Sequence, residues 1–195
     1  MTIFDELRSA YRLSQDTYRA YARGSMLAVR RLAREFHAYL GAPATYADPE
    51  DETRRPYVRL LSFQIRDGTP IAVPPDPQTD LLIREPDGFW RFAISLTLDR
   101  DSDVFPKQNL AFFLRIKPRG ETWDVQLLDE GFQGFRIAPG SPADMLPLFD
   151  HMVAMVKRLL AAKPWDGVEK LPIGFELHRP RPIIDDEPPD PLIQP

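Results

Sequence analysis

The chain has 195 residues, of which 43% are hydrophobic and 28% are charged, with no cysteine and a formal net charge of −4. This length fits one domain with its own core, and the lack of cysteine excludes disulfides, a thiolate nucleophile and Cys-ligated metal sites. No apolar run is long enough to cross a membrane and the first ten residues lack an apolar signal core, so we expect a cytoplasmic, non-membrane protein.

Residues 1–41 predict one long amphipathic helix. Thr2 with Asp5 forms a capping-box pattern, and Gly41 before Pro43 ends the helix. At 1.5 Å per residue the helix is roughly 57 Å long, which exceeds the needs of a domain of this size. It therefore either kinks at Gly24 or projects toward a partner. Spacings of three and four place these apolar or small residues on one face: Phe4, Leu7, Tyr11, Ser14, Tyr18, Ala22, Ser25, Val29, Leu32, Phe36 and Leu40.

The sequence predicts a stripe of arginines on the opposite face of this helix. Residues 1–40 hold seven arginines and four acids, a local net charge of +3. The chain has twenty arginines against five lysines, the bias of a GC-rich and, we expect, bacterial genome. A stripe of guanidinium groups is able to neutralise successive phosphates of a nucleic acid. Its candidate nucleic-acid-binding residues are Arg8, Arg12, Arg19, Arg23, Arg30 and Arg34.

Two segments have the composition of unpacked chain. Residues 42–56 are polar and contain prolines, which predicts a flexible linker. Residues 180–195 contain six prolines and the acidic run 185–187, which predicts a disordered acidic tail. The last 32 residues carry three basic and seven acidic side chains, so the chain has a basic head and an acidic tail. A further alternative is that this tail, or the acidic cluster 48–52, covers the arginine stripe within the same chain.

Residues 57–179 predict an α+β domain. Period-two segments separated by short turns indicate an antiparallel meander of five to six strands. Ser141 followed by Pro142 starts a short turn, and residues 147–162 form an apolar-faced helix that we expect to pack on the sheet. Residues 171–178 then predict a final strand. The fold class is therefore α+β, with a long N-terminal helix, the meander, a C-terminal helix and a last strand.

The sequence shows no catalytic constellation. It lacks HExxH, GxGxxG, the phosphate-binding GxxxxGK[ST] pattern and GxSxG. The run Asp99, Asp101 and Asp103 offers alternate carboxylates to a hard cation, but it departs from the calcium-loop template. These three are weak metal candidates beside their ordinary role as loop residues. We expect no cofactor and assign no catalytic residue.

Three functions fit this organisation. The first is a non-enzymatic interaction module of the adaptor, chaperone-like or immunity and antitoxin kind, acting through the long helix as a homodimer. The second is a nucleic-acid-binding protein that uses the arginine stripe. The third is a small-ligand binder or metal-assisted enzyme on the sheet, with the three aspartates or His151 contributing. In the first, the residues that bind the partner are Phe4, Leu7, Tyr11, Tyr18, Val29, Leu32 and Phe36.

Overall fold

The fold was analysed on a computed structural model, which describes residues 2–48, 53–75, 80–101, 107–129, 131–138, 140–161 and the backbone of 174–178. The α+β prediction is confirmed: a long N-terminal helix, an antiparallel sheet and a second helix are all present. In chain order the elements are α1 (Ile3–Leu40), β1 (Thr45–Ala47), β2 (Arg54–Pro56), β3 (Val58–Arg66), β4 (Thr69–Val73), β5 (Ile83–Arg84), β6 (Trp90–Leu98), β7 (Lys107–Arg119), β8 (Thr122–Leu128), β9 (Phe132–Ile137), a 3-10 turn (Pro142–Met145), α2 (Leu146–Ala161) and β10 (Gly174–His178).

The main sheet has eight strands in the order β4-β3-β6-β7-β8-β9, with β5 beside β6 and β10 beside β7. The long strand β7 pairs with β6 on one side. On its other side it pairs with β10 over its first half, where Gly174 lies opposite Ala111, and with β8 over its second half. The additional strand relative to the predicted meander is β4.

Strand β4 forms where the proline-rich sequence of residues 70–77 predicts a connection between strands. A tight turn at Asp67 and Gly68, which both have positive φ (51° and 76°), joins it to β3 in a hairpin. Pro70 lies opposite Ile65, at a position of the register where no ladder hydrogen bond forms, so its missing N–H costs nothing. Pro70 is therefore compatible with strand β4, because β4 is an edge strand of the sheet.

The main core lies between one face of the sheet and two helices. The second half of α1 and the apolar face of α2 bury large side chains against β6, β7 and β8. The Phe36 ring lies 5.8 Å from the Phe112 ring on the sheet and 5.3 Å from the Phe149 ring on α2. Phe36 thus joins both helices to the sheet at one point.

A second, smaller core lies on the opposite face of the sheet. The hairpin β3–β4 contributes to this side, and Phe63 packs against Phe113 with 4.9 Å between ring centroids. This face carries both polar and apolar side chains, and packing within the chain buries part of the apolar ones. Its buried members are Leu61, Phe63, Ala93, Ala111 and Phe113.

The segment 42–56 contains a hairpin, β1–β2, where the sequence predicts a flexible linker. The hairpin forms because Asp48 is fully buried and its carboxylate lies 2.8 Å from the Arg55 guanidinium, while its N–H donates to the Thr53 carbonyl at 2.9 Å. A buried charge needs such partners, so the polar composition of this stretch reflects ion pairing within a folded hairpin. The predicted tail, 180–195, lies outside the described residues.

Candidate interaction surface

The first half of α1 extends beyond the sheet. No side chain between residues 2 and 20 is buried, although the helix is continuous through this region. Large apolar side chains on it are open to solvent: Ile3 is 78% exposed, Phe4 64%, Leu7 63% and Tyr11 65%. Eighteen helical residues cover about 27 Å, so this projecting half of α1, residues 3–20, is a substantial surface.

The exposed apolar stripe continues directly into the core. Phe4, Leu7, Tyr11 and Tyr18 recur at spacings of three, four and seven, and the same side of the helix becomes buried from Ser25 onward. The apolar stripe therefore packs on the sheet in the second half of α1. In the first half of α1, no other described part of the chain packs on it.

Three of the predicted partner-binding residues lie in the core instead. Val29, Leu32 and Phe36 have no exposed surface and pack within the chain against the sheet and α2. They cannot contact a partner while α1 is packed on the sheet and α2. The structure therefore restricts a docking surface to Phe4, Leu7, Tyr11 and Tyr18, because the sheet already covers the stripe beyond them.

The boundary between the two halves is a tyrosine cluster at one end of β6. The rings of Tyr18 and Tyr21 lie 6.2 Å and 6.1 Å from the Trp90 ring, and the Tyr21 hydroxyl donates to the Gly88 carbonyl at 2.7 Å. Burial is the main cause that raises the pKa of Tyr21, so this hydroxyl stays a donor at neutral pH. The cluster fixes the direction in which the projecting half of α1 leaves the sheet.

Tyr21→Phe is expected to lower the free energy of unfolding by about 1 kcal/mol, because the Gly88 carbonyl loses a partly buried donor. Tyr11→Phe is the matched control, since Tyr11 is 65% exposed on the same helix, and it is expected to change nothing measurable. Urea unfolding of the three proteins measures the difference. Equal midpoints for all three would contradict the anchoring role of Tyr21.

All six residues of the predicted arginine stripe are exposed, from Arg8 to Arg34. Some make only local contacts: Arg19 lies 3.9 Å from Asp16, Arg34 lies 3.0 Å from Glu35, and the Arg8 guanidinium lies 4.9 Å from the centre of the Phe4 ring. Exposed pairs of this kind contribute little to stability. The stripe is accessible, and its binding of nucleic acid stays a prediction.

The metal candidates do not form a cation site in the described residues. The Asp99 carboxylate accepts hydrogen bonds from the Lys107 ammonium at 2.6 Å and from the Tyr57 hydroxyl at 2.5 Å. Asp103 lies outside the described residues, and the described part of the chain contains no group of three potential metal ligands. A buried ammonium occupies the place at Asp99 where a cation would bind.

Burial alone would raise the pKa of Asp99, but the hydrogen bonds from Lys107 and Tyr57 and the lysine charge outweigh it and lower that pKa. Burial together with the bond to Asp99 raises the pKa of Tyr57 to about 12. Lys107 has no exposed surface, and its ammonium also lies 4.9 Å from the centre of the Tyr46 ring. The cluster therefore consists of an ionised carboxylate, a buried ammonium and a neutral phenol.

A histidine–carboxylate pair that the sequence analysis did not predict joins α2 to the end of β8. One Asp129 oxygen lies 3.0 Å from His151 Nε2 and accepts from Arg158 at 2.9 Å. A shallow pocket of about 340 Å³ beside it is lined by Asp129, Gly131, Phe132, Gln133 and Arg158. The contacts of Asp129 with His151 and Arg158 tie α2 to the end of β8.

Comparison with known proteins gives no relative: no family model, no curated protein and no solved structure matches this chain. Among the residues that the structure describes, no helix has the length and apolar character to span a bilayer.

Proposed function

We propose that this protein is a protein–protein interaction module that pairs with a second copy of itself through the projecting half of α1. The observation that carries the proposal is the exposure of Phe4, Leu7 and Tyr11, each more than 60% open to solvent, on the stripe that forms the core further along the helix. Contiguous apolar surface of this kind is typical of an association site.

The apolar surface is large enough for a stable pair. From their exposed fractions, the four large side chains of the stripe and the adjacent Ile3 present roughly 500–600 Å² per chain. Two such faces together reach about 1,000–1,200 Å², which is the lower bound for a specific interface. Those side chains are Ile3, Phe4, Leu7, Tyr11 and Tyr18.

The position of the sheet favours an antiparallel pair. Trp90 and the sheet lie on the apolar side of α1 from Tyr18 onward. In a parallel pair both sheets would require the same space, whereas an antiparallel pair places them at opposite ends. With Tyr11 at the centre, Phe4 meets Tyr18 of the second copy and the two copies of Tyr11 meet each other.

Charge does not oppose this pairing. The projecting half of α1 carries three acids, Asp5, Glu6 and Asp16, and three arginines, so its net charge is zero. Two copies therefore meet without net repulsion, and burial of apolar surface decides the association.

The experiment compares the solution mass of three full-length proteins by light scattering at low and high salt. The wild type is expected at twice 22.4 kDa and Leu7→Glu/Tyr11→Glu at 22.4 kDa, because each charge would be buried without a partner. Leu13→Glu is the matched control, since Leu13 is 69% exposed on the opposite side of the helix, and it is expected to remain a dimer. A wild type that stays at 22.4 kDa at tens of micromolar would overturn the proposal.

The second candidate is nucleic-acid binding, which the exposure of all six arginines in the stripe favours. It would appear in the same measurement as a monomer that binds a short duplex DNA at low salt and releases it at high salt.

A further inference from the structure

Part of the main sheet has an open edge. Strand β3 pairs with β6 through residues 58–61 on one side, whereas on its other side it pairs with β4 only from Ser62 onward. Among the residues that the structure describes, those of β3 before Ser62 thus have a strand on one side only. An unpaired stretch of edge presents backbone donors and acceptors to any extended segment that reaches it.

The alternation of backbone hydrogen bonds between β3 and β6 shows which residues of β3 direct their N–H and C=O groups away from β6. The Thr97 N–H donates to the Tyr57 carbonyl at 2.8 Å, so the odd-numbered residues of this stretch turn their polar backbone groups toward β6. Val58 and Leu60 therefore turn theirs away from β6, and no backbone hydrogen bond reaches them from the part of the chain that the structure describes.

Two prolines create this opening. Strand β4 ends at Val73, opposite Ser62, and Pro74 and Pro75 follow it. Proline has no N–H to donate, so the ladder cannot continue along β3 beyond this point.

A groove of about 580 Å³ lies along the open edge, between α1 and the two prolines. Its walls are mainly apolar and include Ala33, Pro56 and Leu60, while Arg34, His37 and Arg59 line it with basic groups. Arg59 Nε is buried without a hydrogen-bond partner, and no ion pair to Arg59 occurs within the described residues. A buried guanidinium nitrogen of this kind favours an acidic occupant.

We infer that this groove is the docking site of the chain's own segment Ile183–Glu187, which joins the open edge of β3 as an extended strand. The segment is the longest proline-free run after Pro180 and consists of two isoleucines and three acids. The β-branched pair suits a strand in an apolar groove, and the acids complement the basic groups of the lining.

Ile183 follows closely after the described part of the chain. The described chain ends in β10, whose backbone contacts β4, the strand that ends beside the groove. Five residues lead from His178 to Ile183, and five extended residues cover up to about 17 Å. Docking is thus an intramolecular step at high effective concentration.

The test measures amide hydrogen exchange at Val58 and Leu60 by NMR in the full-length protein. Ile184→Pro removes a strand donor without changing charge, and Asp185→Asn/Asp186→Asn/Glu187→Gln removes the charges without adding proline. We expect both amides to exchange at least tenfold faster in either variant than in the wild type. Ile193→Pro is the matched control, since it lies in the same tail outside the segment, and it should exchange like the wild type.

Equal exchange rates in the wild type and both variants would overturn the inference. Protection that rises with protein concentration would also overturn it, because a second copy would then supply the segment. Arg59→Gln tests the other side of the contact and should reduce the protection at moderate salt. The result does not depend on the proposed function, since Leu7→Glu/Tyr11→Glu should leave these two amides unchanged.

Discussion

Asp99→Asn is expected to lower the free energy of unfolding by roughly 3–5 kcal/mol, the cost of breaking one side of a buried ion pair. The Lys107 ammonium is fully buried and lies 2.6 Å from the Asp99 carboxylate, so the amide would leave the ammonium without that negative charge. Tyr57 would also lose an ionised acceptor. Guanidinium unfolding measures the change, and Asp124→Asn is the control, because Asp124 contacts two exposed arginines and should cost under about 1 kcal/mol.

The same cluster predicts how stability depends on pH. The pKa of Asp99 is below its ordinary value of 3.8 in the folded chain, so the folded state binds fewer protons than the unfolded state in the acid range. Its contribution is complete above about pH 4 and is lost as the pH falls through the lowered value. The opposite sign holds for Tyr57, whose pKa is raised to about 12, so its contribution is lost as the pH rises from 10 toward that value.

Asp99→Asn should therefore flatten the fall of stability below pH 4 relative to the wild type. A variant whose stability falls as steeply as that of the wild type would show that Asp99 is not the group that titrates. Lys107→Met offers a second route, because it leaves the Asp99 carboxylate without its ammonium partner and should remove the lowering of its pKa.

Phe36→Ala is expected to cost about 3–5 kcal/mol, because it removes a fully buried ring at the point where both helices meet the sheet. Leu27→Ala on the same helix is the control, since Leu27 is 61% exposed and its removal should cost less than about 0.5 kcal/mol. Denaturant unfolding compares the two. If Phe36→Ala lowered the free energy of unfolding only slightly and also changed the solution mass, the result would support a contact between Phe36 and a partner.

The helices and most strands follow from the sequence because their signals are local. The Thr2 and Asp5 capping box, the stop at Gly41 and the tight turn at Gly88 all depend on residues within four positions of each other. Strand β4 was not predicted because Pro70 is ordinarily a breaker, and only its position in the register makes it harmless.

The candidate surface was predicted only in part, because periodicity does not show where burial stops. Phe4 and Phe36 lie on the same stripe and have the same pattern around them, yet one is 64% exposed and the other is fully buried. The difference in exposure arises because the sheet ends at Trp90. The position of that end relative to α1 is set by the tertiary structure and not by the local sequence. Likewise, Asp99 resembles a cation ligand in sequence, and only the fold brings Lys107 and Tyr57 to it.

The division of α1 into a packed half and a projecting half has a consequence for its local stability. On the N-terminal side of Tyr18, the helix has no tertiary support within the described chain. Only its capping box and its intrinsic helix propensity oppose fraying of this N-terminal end. Resistance to local opening should therefore rise along the helix from Thr2 toward Phe36. A partner that covers the first turns of α1 also stabilises them against local opening. Association and the ordering of the N-terminal half of α1 are therefore coupled equilibria.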